Sequence, residues 1–237
     1  AGLRNPSAVA IDSSGVLYIA DRSNNKIRRV ATNGIITTLV GTGTAGYNGD
    51  VANPLQANLK EPIQVITDAV GEIYFTEYTN GVARRLTTDG VLSVQIGNNY
   101  ATPVYQSNSI PASSVHIDNG RVLTTKDGEL YFYDLASSTV RRVGTNGMVS
   151  TFAGNGSSGF SGDNGQATSA SVATVTCMEF DASGVAYLCD NTNNRIRKVA
   201  TNGVITTFIG NGSSAYAGEN VSIAGAAVNR PIQLLFK

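Results

Sequence analysis

Short runs of alternating apolar and polar residues recur along the whole chain, separated by turn-forming residues. The first run extends from Pro6 to Asp12, and the second is centred on Tyr18. Alternation with a period of two places successive side chains on opposite faces of a β-strand. No segment has the apolar period of 3.6 residues that is typical of an amphipathic helix. The pattern therefore predicts an all-β protein.

One pattern of about 56 residues occurs four times along the chain. The segment GVLYIADRSNNKIRRVATNG from Gly15 aligns without gaps with GVAYLCDNTNNRIRKVATNG from Gly184, and the segments from Gly71 and Gly128 fit the same frame. The steps between these four glycines are 56, 57 and 56 residues. The repeats span approximately 6–61, 62–118, 119–174 and 175–230, and residues 231–237 repeat the first strand once more.

Each repeat is predicted to form four short antiparallel strands. The first two strands are joined by an Asp-x-x-Gly turn, as at Asp12 to Gly15, in which glycine takes the positive φ angle. The last two strands are joined by a dipeptide that favours a two-residue type I′ turn. These dipeptides are Asn33-Gly34, Asp89-Gly90, Asn146-Gly147 and Asn202-Gly203. Small sheets repeated around an axis bury their faces against one another, so the sequence predicts one β-propeller domain over residues 1–237.

These residues resemble the NHL-repeat family of β-propellers. The family pattern is a proline-led strand, then G-x-L-Y-x-A-D, then N-N-x-I-R and a turn glycine, and it is clearest in the first and fourth repeats. The second repeat departs from the pattern at Glu77 and Gly81, and the third departs at Ser137 and Ser138. Long glycine-rich loops, such as GTGTAGYNGD from Gly41, are similar to those of extracellular and bacterial members.

The resemblance implies a closed ring of six blades, which needs roughly 110 more residues at this period. Three interpretations follow for the four repeats and the extra strand. The chain is the ordered part of a larger propeller, or it closes with four blades, or its extra strand completes a blade in a neighbouring molecule. A first residue Ala1, without an initiator methionine, is consistent with a processed protein or with a piece of a longer one.

The composition and the apolar pattern exclude nucleic acids as partners and insertion into a membrane. Only 14% of the 237 residues are charged, and 17 basic groups balance 17 acidic ones. Nucleic-acid binding depends on an excess of clustered Lys and Arg, so this class is excluded. No apolar run reaches the 18 residues of a membrane span, so no insertion into a membrane is expected.

Three acids at the ends of the long loops are candidate metal ligands, namely Asp50, Asp163 and Glu219. Carboxylates beside glycine-rich backbone suit calcium, whereas the alternative is that they cap loose backbone N–H groups. No other cofactor is predicted. The G-x-G-x-x-G strings at Gly41 and Gly154 lack the following helix that a dinucleotide site requires. His116 is the only histidine, which excludes sites built on several histidines.

An acid and an arginine recur seven residues apart in every repeat. Opposite charges placed once per blade on neighbouring strands predict an ion pair within each blade. The pairs are Asp21 with Arg28, Glu77 with Arg84, Asp134 with Arg141 and Asp190 with Arg197.

The cysteines and the glycosylation sequons indicate in which cellular compartment the protein is expected. Cys177 and Cys189 lie on adjacent predicted strands, but if Phe180 faces Val185, Cys177 faces Leu188, one position away. Both a disulfide and two buried thiols therefore remain open. Asn155, Asn211 and Asn220 begin N-x-S sequons in predicted loops. Together with the low lysine content, these features favour a secreted or cell-surface protein.

The long loop of the second repeat, Asn98 to Asp118, is the predicted specific contact surface. Its Tyr100 and Tyr105 are aromatic anchors, and Pro103 and Pro111 stiffen it. We expect a non-catalytic extracellular module for interaction or structural assembly, which binds proteins or itself and for which glycans are further candidate ligands. The alternatives are a metal-dependent propeller hydrolase, lactonase or lyase, and a sugar-binding propeller lectin.

Overall fold

The computed structural model describes residues 2–97, 108–115, 117, 122–216, 220–223 and 225–236. The fold class predicted from the repeat is confirmed, since the chain forms four antiparallel sheets that correspond to propeller blades. The chain divides into two compact units, residues 1–105 with 110–125 and residues 106–109 with 126–237.

The first unit contains two four-stranded sheets, with their strands in sequence order. The first sheet comprises β1 (Pro6–Ile11), β2 (Leu17–Asp21), β3 (Lys26–Val30) and β4 (Ile36–Val40). The second comprises β5 (Pro62–Thr67), β6 (Ile73–Glu77), β7 (Val82–Leu86) and β8 (Leu92–Ile96). Short strands β9 (Ile110–Pro111) and β10 (Val122–Lys126) follow, and the 3₁₀ helices are Arg22–Asn24, Pro54–Gln56 and Ala112–Ser114.

The second unit repeats this architecture. Its strands are β11 (Glu129–Asp134), β12 (Thr139–Val143), β13 (Met148–Ala153), β14 (Gly165–Gln166), β15 (Val175–Phe180), β16 (Ala186–Asp190), β17 (Arg195–Val199) and β18 (Val204–Ile209). Strands β11, β12 and β13 pair in that order, and the last sheet has the order β14-β18-β17-β16-β15. One 3₁₀ helix, Ala167–Ser169, precedes β15.

Apolar side chains from both sheets of the first unit form a shared core. Ile27 and Leu59 are fully buried, and Phe75 from the second sheet belongs to the same cluster. The two sheets of this unit therefore bury one face against each other, as the repeat predicts.

The hairpins at the ends of the repeats differ from the predicted two-residue type I′ turns. The backbone N–H of Ala31 donates to the Ile35 carbonyl at 3.0 Å, and that of Gly34 donates to the Ala31 carbonyl at 2.8 Å, which leaves three residues in the loop. Gly34 has a φ of 80°, whereas Asn33 is not among the residues with positive φ. Asn33 serves instead through its side chain, whose Oδ1 accepts the Ile35 N–H at 3.1 Å. The type I′ prediction was wrong because Asn-Gly also fits a turn in which only glycine is left-handed.

A buried carboxylate at the end of the second strand connects three parts of the first, second and fourth blades. In the second blade, Glu77 lies 2.7 Å from the Arg84 guanidinium, and both side chains are fully buried. The same carboxylate accepts the Lys60 backbone N–H at 2.8 Å and a hydrogen bond from Asn80 Nδ2. Burial raises the pKa of Glu77, and Arg84 counteracts this most strongly. The ion pair therefore holds the entry to the first strand, the turn and the third strand together.

The other blades use the same carboxylate position. Asp21 lies 3.5 Å from Arg28 and accepts the Arg4 N–H at 2.8 Å. Asp190 lies 3.4 Å from Arg197, and it accepts the Ala173 N–H at 2.8 Å. In the third blade Asp134 accepts a hydrogen bond from Ser137 Oγ at 2.6 Å, and Arg141 donates to Thr151 at 3.1 Å.

The long glycine loop of the first blade reaches forward onto the ion pair of the second blade. Arg84 Nη1 donates to the Gly49 carbonyl at 3.1 Å, and its guanidinium lies 4.8 Å from the ring centre of Tyr47. The same arrangement recurs in the second unit, where Arg197 donates to the Ser161 carbonyl and lies 4.8 Å from the Phe160 ring. The loops from Gly41 and Gly154 therefore each cover the arginine of the following blade.

Loss of a buried arginine is expected to destabilise the fold strongly. Arg84→Ala leaves the Glu77 carboxylate buried without its cation, which costs about 3–5 kcal/mol. Arg22→Ala is the matched control, because Arg22 pairs with Glu61 at a partly exposed site, where such pairs contribute about 1 kcal/mol or less. Urea unfolding followed by circular dichroism measures both. Equal shifts of the two unfolding midpoints would contradict the role assigned to the buried pair.

Candidate interaction surface

Residues Pro231–Phe236 follow the path of a first strand but have no strand pairing. Thr176 Oγ1 donates to the Pro231 carbonyl at 2.8 Å, just as Ser7 Oγ donates to the Pro62 carbonyl at 3.1 Å in the first unit. Pro231 therefore occupies the position that Pro62 has at the start of β5. Among the described residues, none forms a β-ladder with this segment.

The loop that leads into this segment also matches the loop before β5. The Arg230 N–H donates to Asn194 Oδ1 at 3.0 Å, and the Glu61 N–H donates to Asn25 Oδ1 at 3.1 Å. Arg230 and Glu61 have φ angles of 47° and 52°. Gly210 shows why the loop needs glycine there, since it has a φ of 106° and a Cβ would lie 2.5 Å from the Asn194 carbonyl oxygen.

Apolar side chains of the segment remain exposed. Ile232 and Leu235 are 69% and 74% exposed, whereas Ile63 and Ile66, at the same positions of the paired strand β5, are half-buried. The ring of Phe236 packs 4.8 Å from that of Tyr187 and anchors the end of the segment. Pro231–Phe236 thus presents an unpaired backbone with apolar side chains, which is the type of surface that accepts another strand.

The predicted contact loop falls largely outside the described residues. Tyr100, Pro103 and Tyr105 lie there, as does His116. Pro111 is described, and it is an exposed residue of β9 directly before the 3₁₀ helix Ala112–Ser114. The role of this loop as a contact surface therefore stays a prediction.

The candidate calcium ligands make contacts with the protein itself. Asp50 Oδ1 accepts the Val94 N–H at 2.9 Å. Asp163 lies 2.7 Å from Arg197 and accepts a hydrogen bond from Thr207 Oγ1 at 2.6 Å. Glu219 lies outside the described residues. Within the described ranges there is no group of three or more His, Cys, Asp or Glu side chains placed to hold a metal ion. Asp50 thus caps a backbone N–H, whereas Asp163 binds two side chains, and calcium binding at these acids stays a prediction.

The asparagines of the sequons lie at exposed positions. Asn155 Nδ2 donates to the Ser169 carbonyl at 3.1 Å, and Asn211 Nδ2 donates to the Gly225 carbonyl at 3.0 Å. Asn220 has a φ of 60° and is exposed. In Asn155 and Asn211 the nitrogen that would carry a glycan therefore braces the loop, and glycosylation stays a prediction.

Cys177 and Cys189 form a disulfide, with Cα atoms 5.0 Å apart. The predicted register was one residue off, because Phe180 pairs with Ala186 rather than with Val185. Met178 pairs with Leu188, so Cys177 lies opposite Cys189. A bulge between Val175 and Met178 shifts the register by one residue, so that Val175 pairs with Asp190.

Sequence reasoning missed Glu179 on strand β15. The aligned positions of the first two repeats carry Ala10 and Ile66, so an acid here departs from the repeat and comparison of the repeats could have identified it. Burial alone raises the pKa of Glu179 to about 6. Its charge therefore destabilises the fold at neutral pH.

Comparison with known proteins supports the repeat assignment. A family model described as NHL repeat matches residues 3–29. Human Teneurin-4 is 25% identical over 225 residues, which cover 83% of this chain and 8% of that protein. The chain thus spans less than a tenth of the length of the curated relatives it matches.

Solved structures share the fold. An auxiliary nutrient binding protein from Bacteroides thetaiotaomicron has a TM-score of 0.63 at 16% identity, covering 98% of this chain and 54% of that one. Virginiamycin B lyase from Staphylococcus aureus has a TM-score of 0.51 at 17% identity, covering 86% and 55%. Of the helices among the described residues, none has the length and apolar character that crossing a bilayer requires.

Removal of the disulfide is expected to lower the free energy of unfolding by about 2–3 kcal/mol, because the bond closes a short loop in the unfolded chain. The variant Cys177→Ala/Cys189→Ala suits this test, since the first repeat has Ala8 and Ala20 at the aligned positions. Urea unfolding without reductant measures the loss. A reductant should destabilise the parent protein and leave the variant unchanged, and a parent that does not respond would contradict the expectation.

Glu179→Gln is expected to stabilise the protein by about 1–2 kcal/mol at pH 7.5. The folded state favours the protonated acid, so the carboxylate destabilises it above pH 6, and this effect disappears below the ordinary pKa of 4.5. Unfolding measured at pH 7.5 and pH 4 tests this. Glu72→Gln is the control of opposite sign, because the hydrogen bond from Arg85 lowers the pKa of Glu72. A Glu179 variant that is equally stable to the parent at both pH values would contradict the assignment.

Proposed function

Because this chain belongs to the NHL-repeat β-propellers, we propose that it is a non-catalytic extracellular interaction module that assembles with copies of itself through Pro231–Phe236. The observation that carries the proposal is the unpaired path of this segment with Ile232 and Leu235 exposed. In the pairing proposed below, Leu235 takes the position of Ala10 against the core, and burying its side chain would contribute about 1.5–3 kcal/mol.

The element that this segment fits is strand β2 of a second copy. Residues Pro231 to Lys237 align with β1, which is the strand that pairs with β2 within each chain. Strand β1 leaves Val9 and Ile11 63% and 61% exposed, so it buries little apolar surface of its own. The terminal segment has four large apolar side chains where β1 has two, which favours exchange of one strand for the other.

Exchange of this kind joins different surfaces of the two copies. A head-to-tail contact produces a ring if the rotation closes and a filament if it does not. The segment therefore supports a role in structural assembly rather than in binding one small partner.

An extracellular location rests on two observations. The chain has the disulfide Cys177–Cys189. Disulfides persist in oxidising compartments and are rare in the cytosol. The teneurin relatives are cell-surface proteins. The propeller lyase shares only the fold with this chain, at 17% identity, so its chemistry is not carried over.

The exchange is tested by a cysteine pair that copies the native disulfide. Gln233 and Ala20 align with Cys177 and Cys189, so Gln233→Cys/Ala20→Cys places two thiols opposite each other when the segment pairs with β2. We expect disulfide-linked oligomers at multiples of 24.7 kDa, measured by non-reducing mass spectrometry of the purified chain.

The matched control is Gln233→Cys/Val70→Cys, since Val70 is 73% exposed in a turn far from β2 along the chain. This control should give no specific oligomer. A monomer with an internal bond between positions 233 and 20 would show closure within one chain and contradict self-assembly. A monomer with two free thiols would also contradict it.

A further inference from the structure

A cavity of about 350 Å³ lies within the second unit, between the third and fourth sheets. Its apolar wall consists of Tyr131, Phe152 and Phe180, one side chain each from β11, β13 and β15. Tyr131 contacts the other two rings edge-on, with centres 5.2 and 5.0 Å apart. Ala200, Thr201 and Gly203, from the turn after β17, also line the cavity. The volume and the aromatic lining are those of a small-molecule site.

Two cations lie at this cavity. Lys126 Nζ is 5.7 Å from the centre of the Phe180 ring, and its ion-pair partner Asp127 has a side chain that is 80% exposed. Arg142 lies 3.7 Å from Glu129, with 45% of its side chain exposed. Such exposed pairs are weak. An incoming anion has to displace Asp127 from Lys126 and Glu129 from Arg142, and the weakness of such pairs makes this displacement inexpensive.

The cavity coincides with departures from the repeat. At the corresponding positions of the first two blades the chain has Ser13, Leu39 and Thr67 in place of Lys126, Phe152 and Phe180. The turn aspartate is also replaced, since Thr125 aligns with Asp12. Tyr18 donates to Asp12 at 2.9 Å, whereas Tyr131 donates to Glu129 at 2.8 Å. A structural repeat has no need of these substitutions, and together they create an aromatic pocket beside two cations.

We propose that this cavity binds a small monoanion with a flat apolar ring, that is, an aromatic carboxylate. The ring packs against Phe152 and Phe180, and the carboxylate accepts charge-assisted hydrogen bonds from Lys126 and Arg142. Arginine matches a carboxylate with two parallel donors, and lysine adds a second positive charge. No residue of Pro231–Phe236 lines the cavity, so this proposal does not rest on the proposed self-assembly.

The test is a titration of the ¹⁵N-labelled full chain with phenylacetate, followed by NMR. We expect saturable shifts of the amide signals of Thr201 and Gly203, which line the cavity. Phenylacetamide has the ring without the charge, and acetate has the charge without the ring, so each should bind at least tenfold more weakly. Equal binding of either analogue, or no saturable shift with phenylacetate, would overturn the proposal.

Variants assign the binding to these side chains. Lys126→Ala should weaken phenylacetate binding about tenfold through loss of one charged hydrogen bond. Phe152→Leu introduces the residue that the first blade has at this position, so it should fold normally and also weaken binding. Lys198→Ala is the matched control, because Lys198 lies on β17 outside the cavity lining and packs near Phe208. If Lys198→Ala weakened binding as much as Lys126→Ala, nonspecific charge would explain the binding and the site would be wrong.

Discussion

The buried carboxylate at the end of each second strand is the interaction on which the blades depend. Glu77 receives a guanidinium, a backbone N–H and a side-chain amide in a site without solvent. A charge at such a site is tolerated only when its partners are all present. The entry to the blade, its turn and its third strand therefore have to be in place together, and the long loop from the preceding blade completes the enclosure through Tyr47 and Gly49.

The repeat made the fold predictable, and it made the ion pairs of the first, second and fourth blades predictable as well. A spacing of seven residues from Asp21 to Arg28 places both on adjacent strands, as observed. The sequence did not indicate which backbone groups share the carboxylate, because Arg4 lies 17 residues before Asp21. The hairpin type was predicted wrongly, since Asn33-Gly34 suits two turns and only the pairing of Ala31 with Ile35 distinguishes them. The disulfide depended on a register that a shift of one residue changes completely.

The sites outside the repeat were harder to predict than the repeat itself. The cavity is built from Tyr131, Phe152 and Phe180, which lie far apart in sequence and meet only when two blades pack. Glu179 was detectable in principle, because the other repeats have apolar residues at its position. In a repeat protein the shared residues describe the scaffold, whereas function is concentrated at positions where one copy differs from the others. Glu179 and the cavity residues Lys126, Phe152 and Phe180 are such positions.

The forward-reaching loops give the chain a direction. Tyr47 of the first blade covers Arg84 of the second, and Phe160 of the third covers Arg197 of the fourth, but the reverse contact does not exist in the described parts of either unit. A defect in one of these loops therefore exposes the arginine of the blade that follows. The blade that carries the loop keeps its own buried ion pair. Within each unit, structural damage therefore passes from the earlier blade to the later one.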